Sequence, residues 1–399
     1  MNLLERQIQS DSRLIQFELA KQVKTNPYFK SVEGRNNNKI RIDGRDLLNF
    51  GSNNYLGLSS DENVIEQTRE AVDKYGAGLT GARLLNGTLD IHKELENELA
   101  KFYEKEDCLI FPTGYTCNLG FVSAVVKTED FIVCDEKIHG SLWDGIKLSG
   151  ASFKRFKHND PEDLKKIISG SNKKPKMCII EGVYSLDGKI GRVKELSKIC
   201  KENDIFVLID EAHGLGTIGE KGRGGCELDD AIEYVDAITV TFSKSLASCG
   251  GALIATKKIV DFVKVNSRPF IFTASNTPGS IAAARASLKR IIDNPELISE
   301  LQDKKMYFYN KIKDLGITIH KNESPILTIP IGSDFDTLYA WKLLFNRGVF
   351  CNPILSPSAP KGGALLRFSI NVRHTYEEIN EAATIINHIK KFVHNENGK

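Results

Sequence analysis

The chain has 399 residues, 41% hydrophobic and 27% charged, enough apolar material for a large core and too much for wholesale disorder. Lys and Arg total 54 against 52 Asp and Glu, a net of +2, so no charge excess points to nucleic acid or an anionic lipid surface. No apolar run approaches the ~20 residues of a membrane span, which leaves room only for peripheral membrane contact. The eight cysteines stand singly with no CxxC pair, the pattern of reduced thiols in a cytoplasmic protein rather than a disulfide framework or a metal site.

In chain order, Leu3 to about Val23 has helical composition studded with charge, and strand-like runs follow at Ile40–Ile42 and Leu47–Phe50. Asp61–Tyr75 and Asp90–Tyr103 read as amphipathic helices, each opening on an Asp suited to N-capping. Compact apolar runs then recur at Cys108–Phe111, Phe131–Cys134, Met177–Ile180, Ile205–Ile209, Ala237–Val240 and Gly251–Ala255. Helix-compatible segments such as Val193–Glu202 separate most of them. Continuous apolar strands with helices between them predict an α/β fold whose mostly parallel sheet is buried on both faces. Helices at Gly279–Asp293 and Pro295–Leu315 lead out of this domain. Ile326–Ile331, helix Thr337–Arg347, Leu365–Ile370 and helix Tyr376–Val393 then predict a smaller α+β lobe. The chain divides on this reading into an N-terminal segment 1–58, a large domain 59–294 and a small C-terminal domain 295–399.

Open α/β sheets bind ligands beyond the carboxyl ends of their strands, so the polar residues that follow each apolar run are the site candidates. Asp210-Glu211-Ala212-His213-Gly214 follows one run, Thr241-Phe242-Ser243-Lys244-Ser245 a second and Glu181-Gly182-Val183-Tyr184-Ser185 a third. Pro112-Thr113-Gly114-Tyr115 opens a helix after a fourth, and a loop to His139 leaves a fifth. Singly, each has a bland explanation: a turn-forming Asp, a packed His, a solvated Lys, a Gly serving a turn. As a set they match one cofactor. Pyridoxal phosphate needs a lysine for its Schiff base, a carboxylate for its pyridine nitrogen, a flat side chain against its ring and donors for its phosphate. A helix N-terminus supplies such donors, and no zinc, P-loop or dinucleotide-binding pattern is expected to compete.

At these residues the sequence resembles the α-oxoamine synthases, pyridoxal-phosphate enzymes of the fold-type-I (aspartate aminotransferase) class. Gly81-Ala82-Arg83-Leu84-Leu85-Asn86-Gly87-Thr88 adds to the likeness, which runs from Asn49–Leu58 to Leu366-Arg367-Phe368-Ser369 and His374-Thr375-Tyr376. Within the family the pattern lies nearest the bacterial serine palmitoyltransferases, through Leu85–Asp90, Thr241–Ser248 and Asn352–Pro357. The resemblance implies that Lys244 carries the internal aldimine and takes the substrate Cα proton. It implies that Asp210 pairs with the pyridinium nitrogen, that His213 and Ser185 lie near the ring oxygen, and that His139 stacks on the ring. Gly114, Tyr115, Thr241 and Ser243 would hold the phosphate, with Thr273 and Ser275 reaching the phosphate of a partner subunit in a homodimer with shared sites. Arg367 would clamp the substrate carboxylate, together with Asn53 or Asn54.

The implied reaction is a decarboxylative Claisen-type condensation of an amino acid, L-serine favoured, with an acyl-CoA, long-chain favoured, releasing CoA and CO2. Synthesis of 8-amino-7-oxononanoate and ligation of 2-amino-3-ketobutyrate are the nearest alternatives. A plain aminotransferase is more distant, and a catalytically silent partner subunit would lack the lysine that stands at Lys244. Two positions depart from the pattern: Ala82 replaces the usual Ser, and Asn276 stands where the palmitoyltransferases tend to carry Met. Both were expected on the acyl-CoA or partner side of the site.

Overall fold

The continuity of the apolar runs follows from the sheet they build. In the computed structural model, which describes residues 2–22, 26–228, 230–317, 319 and 322–393, seven strands form a central sheet. Their order is Asp107–Phe111, Gly251–Ala255, Ala237–Thr241, Phe206–Asp210, Met177–Glu181, Phe131–Asp135, Ser152–Phe156. All neighbours are parallel except Gly251–Ala255, which runs against both strands beside it. Alternate residues enter opposite cores: Cys178, Ile180, Val207 and Ile209 pack on one face, and Met177, Ile179 and Leu208 on the other. With both faces covered by helices, a polar alternation has no place in these strands.

All six predicted runs form strands, and four extend to a polar residue at the carboxyl end: Asp135, Glu181, Asp210 and Thr241. The edge strand Ser152–Phe156 was not predicted. Only Phe156 in it is buried, so it carries no apolar run to read. Register places Glu181 beside Asp210 and Asp210 beside Thr239. The antiparallel strand starts at the same edge, since Gly251 pairs with both Thr241 and Phe111. Its lead-in, Cys249-Gly250, thereby joins the functional edge. The stretch Gly214–Gly219 spells GxGxxG but opens no helix, so it lacks the helix N-terminus of a dinucleotide site.

Asp61 caps the helix Glu62–Tyr75 as expected, accepting from Asn63 N and Val64 N. Asp90 instead lies one residue inside its helix, where Leu89 is the cap residue and the Leu89 N–H is taken by His92 Nδ1. The N-terminal stretch is two helices, Leu3–Gln9 and Ser12–Gln22, and Val23 lies outside the described residues. Later helices shift by a few residues: Pro278–Asp293, Glu296–Asp314 and Asp334–Asn346, the last capped by Ser333. The final helix is α-helical over Tyr376–Ile386 and tightens to 3-10 geometry over Asn387–Phe392. A three-stranded antiparallel sheet carries Arg367 on its middle strand, paired with Thr328 and Asn352. A further sheet pairs Arg45–Asn49 with Val349–Phe350, closing the first part of the chain on the last.

The Gly81–Thr88 loop is anchored by a buried ion pair. Arg83 Nη2 donates to Glu96 Oε1 at 2.8 Å, and the same oxygen accepts the Ile110 N–H at 3.1 Å. Lys93, largely in solvent, lies 3.3 Å from the other oxygen. Removing one partner of a buried pair strands the other's charge. Arg83→Met should lower stability by about 3 kcal/mol, and Arg83→Met with Glu96→Leu should recover most of that loss. Urea-unfolding midpoints of the three proteins check it.

Candidate active site

At the carboxyl edge the sheet leaves a cavity of about 260 Å3, into which Gly114, Tyr115, His139, Ser185, Asp210, His213, Thr241, Ser243 and Lys244 open. These residues come from five separate strand ends, brought together because parallel strands all discharge on one side. Asp210, 4% exposed, is fixed at both oxygens: Ala212 N donates to Oδ1 at 2.8 Å and Asn118 Nδ2 to Oδ2 at 2.7 Å. The second Asn118 hydrogen goes to Ser141 Oγ at 3.0 Å, and that hydroxyl lies 2.8 Å from His139 Nδ1. The Ser141 N–H also donates to Nδ1, at 3.2 Å. His139 thus caps the helix Gly140–Ser149 through Nδ1, which leaves Nε2 to carry its proton. Burial, reinforced by the Lys244 charge and opposed by Asp210, holds this imidazole below its usual range. The His139 backbone N–H donates to the buried Glu181 at 2.5 Å.

His213 turns its Nδ1 to the Tyr55 hydroxyl, 2.8 Å away. Tyr55 in turn lies 3.2 Å from Arg367 Nη2, which donates to Asn53 Oδ1 at 2.9 Å. Arg367 and Asn53 do not line the 260 Å3 cavity; they join it through this chain of contacts. Asn54 is engaged elsewhere, donating to Ser59 Oγ at 2.7 Å and Asn36 O at 3.3 Å. Of the two asparagines the sequence offered, only Asn53 touches the arginine.

Lys244 is pushed down to about 7 by burial, with Arg367 adding to the effect and Asp210 opposing it. Around it, Thr241 Oγ1 and Ser243 Oγ lie 2.9 Å apart. Gly114 begins the helix Gly114–Val125, and a Cβ there would come within 2.8 Å of Thr241 Cβ, so the backbone approach requires glycine. Tyr115 is half-exposed and hydrogen-bonds Asp144. Ser185 lies on the turn after Glu181, partly covered.

Thr273 and Ser275 do not reach this cavity. Ser275 Oγ lies 3.1 Å from His92 Nε2. Burial pushes His92 down to about 3, and its Nδ1 accepts from Leu89, so Nε2 carries the proton and donates to Ser275. The serine hydroxyl hydrogen is left free to donate outward. Asn276 is buried, donating to the carbonyls of Cys249 at 3.2 Å and Phe111 at 3.3 Å, a tie between two strand ends rather than a surface of the site. Residues missed in the sequence are Asn118, Ser141 and Tyr55. Tyr55 sat within the recognised Asn49–Leu58 motif, whereas nothing local marks Asn118 or Ser141. Among the described residues no cluster of three or more His, Cys, Asp or Glu could hold a metal ion.

A lysine depressed to about 7 is a neutral nucleophile at pH values where surface lysines are charged. Reductive methylation of the free protein, followed residue by residue by mass spectrometry, should give Lys244 a rate that rises with a midpoint near pH 7. A midpoint in the ordinary lysine range would contradict the assigned environment.

Comparison with known proteins places this geometry. The model of the aminotransferase class I and II family matches residues 45–386. A serine palmitoyltransferase of Bacteroides thetaiotaomicron is 40% identical over 357 residues, 89% of this chain and 91% of that one. An 8-amino-7-oxononanoate synthase of Bacillus pumilus is 34% identical over 372 residues, 93% and 95% of the two chains. A serine palmitoyltransferase solved with its pyridoxal phosphate internal aldimine superposes with a TM-score of 0.93 at 30% identity, covering 98% of this chain and 99% of that one. The Sphingomonas wittichii serine palmitoyltransferase superposes equally, at 0.93 and 30% identity, over 98% of both chains. A fold-type-I sheet, its carboxyl-edge lysine, aspartate and histidines, and relatives matched over nearly their full length agree: the chain belongs to the aminotransferase class I and II family and, within it, to the α-oxoamine synthases.

Proposed function

We propose that the chain is a pyridoxal-phosphate-dependent C-acyltransferase that condenses L-serine with a long-chain acyl-CoA, releasing CoA and CO2. The observation that carries the reading is Lys244, depressed to about 7 and facing a rigidly held Asp210 in one cavity, with Arg367 reached through Tyr55. The donor set fits the cofactor. The first turn at Gly114 and Tyr115 offers backbone N–H groups and the helix dipole to a phosphate, beside the Thr241 and Ser243 hydroxyls. The cradle is tight enough that only glycine fits at 114. Bound there, pyridoxal phosphate supplies the electron sink that stabilises a carbanion at the amino acid's Cα.

The chain's own residues do the rest. Lys244 holds the cofactor and takes the Cα proton at Nζ, which its depressed affinity for protons allows near neutral pH. Asp210 would keep a positive charge on the cofactor's pyridine nitrogen, and Asn118 and Ala212 N hold its carboxylate in place for that role. His139 would cover one face of the cofactor ring, and His213 and Ser185 would lie near its ring oxygen. Arg367 offers a planar guanidinium to the substrate carboxylate, steadied by Asn53. Holding that carboxylate would orient the substrate's Cα bonds relative to the cofactor. Serine and a long acyl chain are favoured by the palmitoyltransferase relatives, and the Bacillus relatives favour alanine with a pimeloyl donor as the second reading.

CoA release measured across serine, alanine and glycine against acetyl-, pimeloyl- and palmitoyl-CoA tests this directly. The highest kcat/KM is expected for serine with palmitoyl-CoA, and Lys244→Ala should release no CoA while remaining folded. A maximum at alanine with pimeloyl-CoA would move the chain to the second reading. Amino transfer to keto acids without any CoA release would refute both.

The working unit is a homodimer with shared sites. Phe272 is 73% exposed beside Thr273 and Ser275, and the Ser275 hydroxyl hydrogen has no acceptor among the described residues. Both features suit residues that complete a neighbour's phosphate site. Mixing a Lys244→Ala chain with a Thr273→Ala/Ser275→Ala chain should restore part of the activity, because some mixed dimers then carry one intact site. If mixed dimers form and the Thr273/Ser275 variant is itself impaired, yet nothing returns, the sites are not shared. Eight free thiols, seven of them buried, support a reducing, cytoplasmic setting, and no helix among the described residues is long and apolar enough to cross a membrane.

A further inference from the structure

A histidine that serves a phenolic oxygen must present an N–H to it, and a neutral imidazole has only one. Burial, with Lys244 and Arg367 adding like charge, holds His213 well below its usual range, so the ring is neutral. Which nitrogen keeps the proton depends on the hydrogen bond at the other. That bond is to Tyr55, whose hydroxyl oxygen lies 2.8 Å from His213 Nδ1, 3.2 Å from Asn53 Oδ1 and 3.2 Å from Arg367 Nη2.

The direction of each bond follows from donor counting. A guanidinium only donates, so Arg367 gives one N–H to the Tyr55 oxygen and, at 2.9 Å, to Asn53 Oδ1. Asn53 therefore shows its carbonyl oxygen here, and that oxygen already has a charged donor. Burial keeps the phenol protonated. The buried Ser369 hydroxyl also meets the phenol and, having a hydrogen of its own, can donate to it, so the phenol's one hydrogen falls to Nδ1 or to Asn53 Oδ1. Nδ1 is the nearer by 0.4 Å, on distances of 2.8 and 3.2 Å. The Arg367 contact polarises the O–H and makes it a stronger donor.

We propose that Tyr55 is a positioning residue that fixes the tautomer of His213: its hydroxyl donates to Nδ1, so the imidazole proton sits on Nε2, the nitrogen left for the cavity. With the bond reversed, Nε2 would offer a lone pair to an oxygen that also carries negative charge, and the contact would be repulsive. The consequence for the cofactor rests on the proposed contact of His213 with the ring oxygen; the tautomer itself is a property of this chain alone.

Histidine-selective 15N labelling of the holoenzyme and solid-state NMR read the tautomer, with the His213 signals assigned by their loss in His213→Gln. The wild-type ring is expected as the Nε2–H form. Tyr55→Phe keeps the aromatic packing and removes only the hydroxyl, so the signal should move to the Nδ1–H form or to a mixture. A wild-type Nδ1–H ring, or a Tyr55→Phe spectrum identical to wild type, would overturn the proposal. If Tyr55→Phe does not fold, the wild-type tautomer alone decides it. The visible absorption band of the bound cofactor, titrated with pH in the same two proteins, should shift its midpoint in Tyr55→Phe. A changed tautomer with an unmoved band supports the role of Tyr55 and counts against the His213 contact.

Discussion

Asp210 places a carboxylate at the end of the central strand with only 4% of the residue exposed, and an ion so placed must be held by hydrogen bonds or by a cation. The first requirement is met within the chain, by Asn118 Nδ2 and Ala212 N. The second is what the proposed cofactor would supply when bound. Its charge also acts on its neighbours, opposing the burial that lowers Lys244 and His139. Without it the lysine would fall further. The sheet serves this one group: a parallel arrangement buried on both faces leaves the strand ends as the only place where such a charge can meet a ligand.

Two hydrogen-bonded chains organise the site, one of them starting at that point. One runs from Asp210 through Asn118 and Ser141 to His139, so the anion and that imidazole are held in one network. The other runs from His213 through Tyr55 to Arg367 and Asn53, joining the cavity to the arginine on the C-terminal sheet. Because the arginine sits on the middle strand of that sheet, its position is set by Thr328 and Asn352 on either side rather than by a loop. Reactions that depend on which bond stands perpendicular to a ring gain from that rigidity.

The sequence showed Asp210, His213, Lys244, Gly114 and Thr241 because each follows directly on a buried apolar run. The physics that ends a strand and the chemistry that uses its end are written in adjacent letters. Arg367 and Asn53 were legible only through family resemblance, since an arginine within an apolar strand looks the same whether it clamps a substrate or pairs with an acid. Asn118 and Ser141 were not legible. Asn118 acts on Asp210 across 92 positions of sequence, and such a contact exists only once the sheet has formed. The edge strand Ser152–Phe156 escaped for a different reason: solvent covers most of it, so hydrophobicity does not mark it. Asn276 reads as a substrate-side residue from its neighbours in sequence, but it is buried and its amide nitrogen ties backbone carbonyls of two strand ends together.

The central claim is that Lys244 is the residue to which the cofactor is joined. Borohydride reduction of the purified holoenzyme fixes that linkage, and peptide mapping by mass spectrometry then reads its position. The account predicts the cofactor's mass on the peptide containing Lys244 and on no other. Label on a different lysine, or none in protein that retains the cofactor's absorbance, would contradict it.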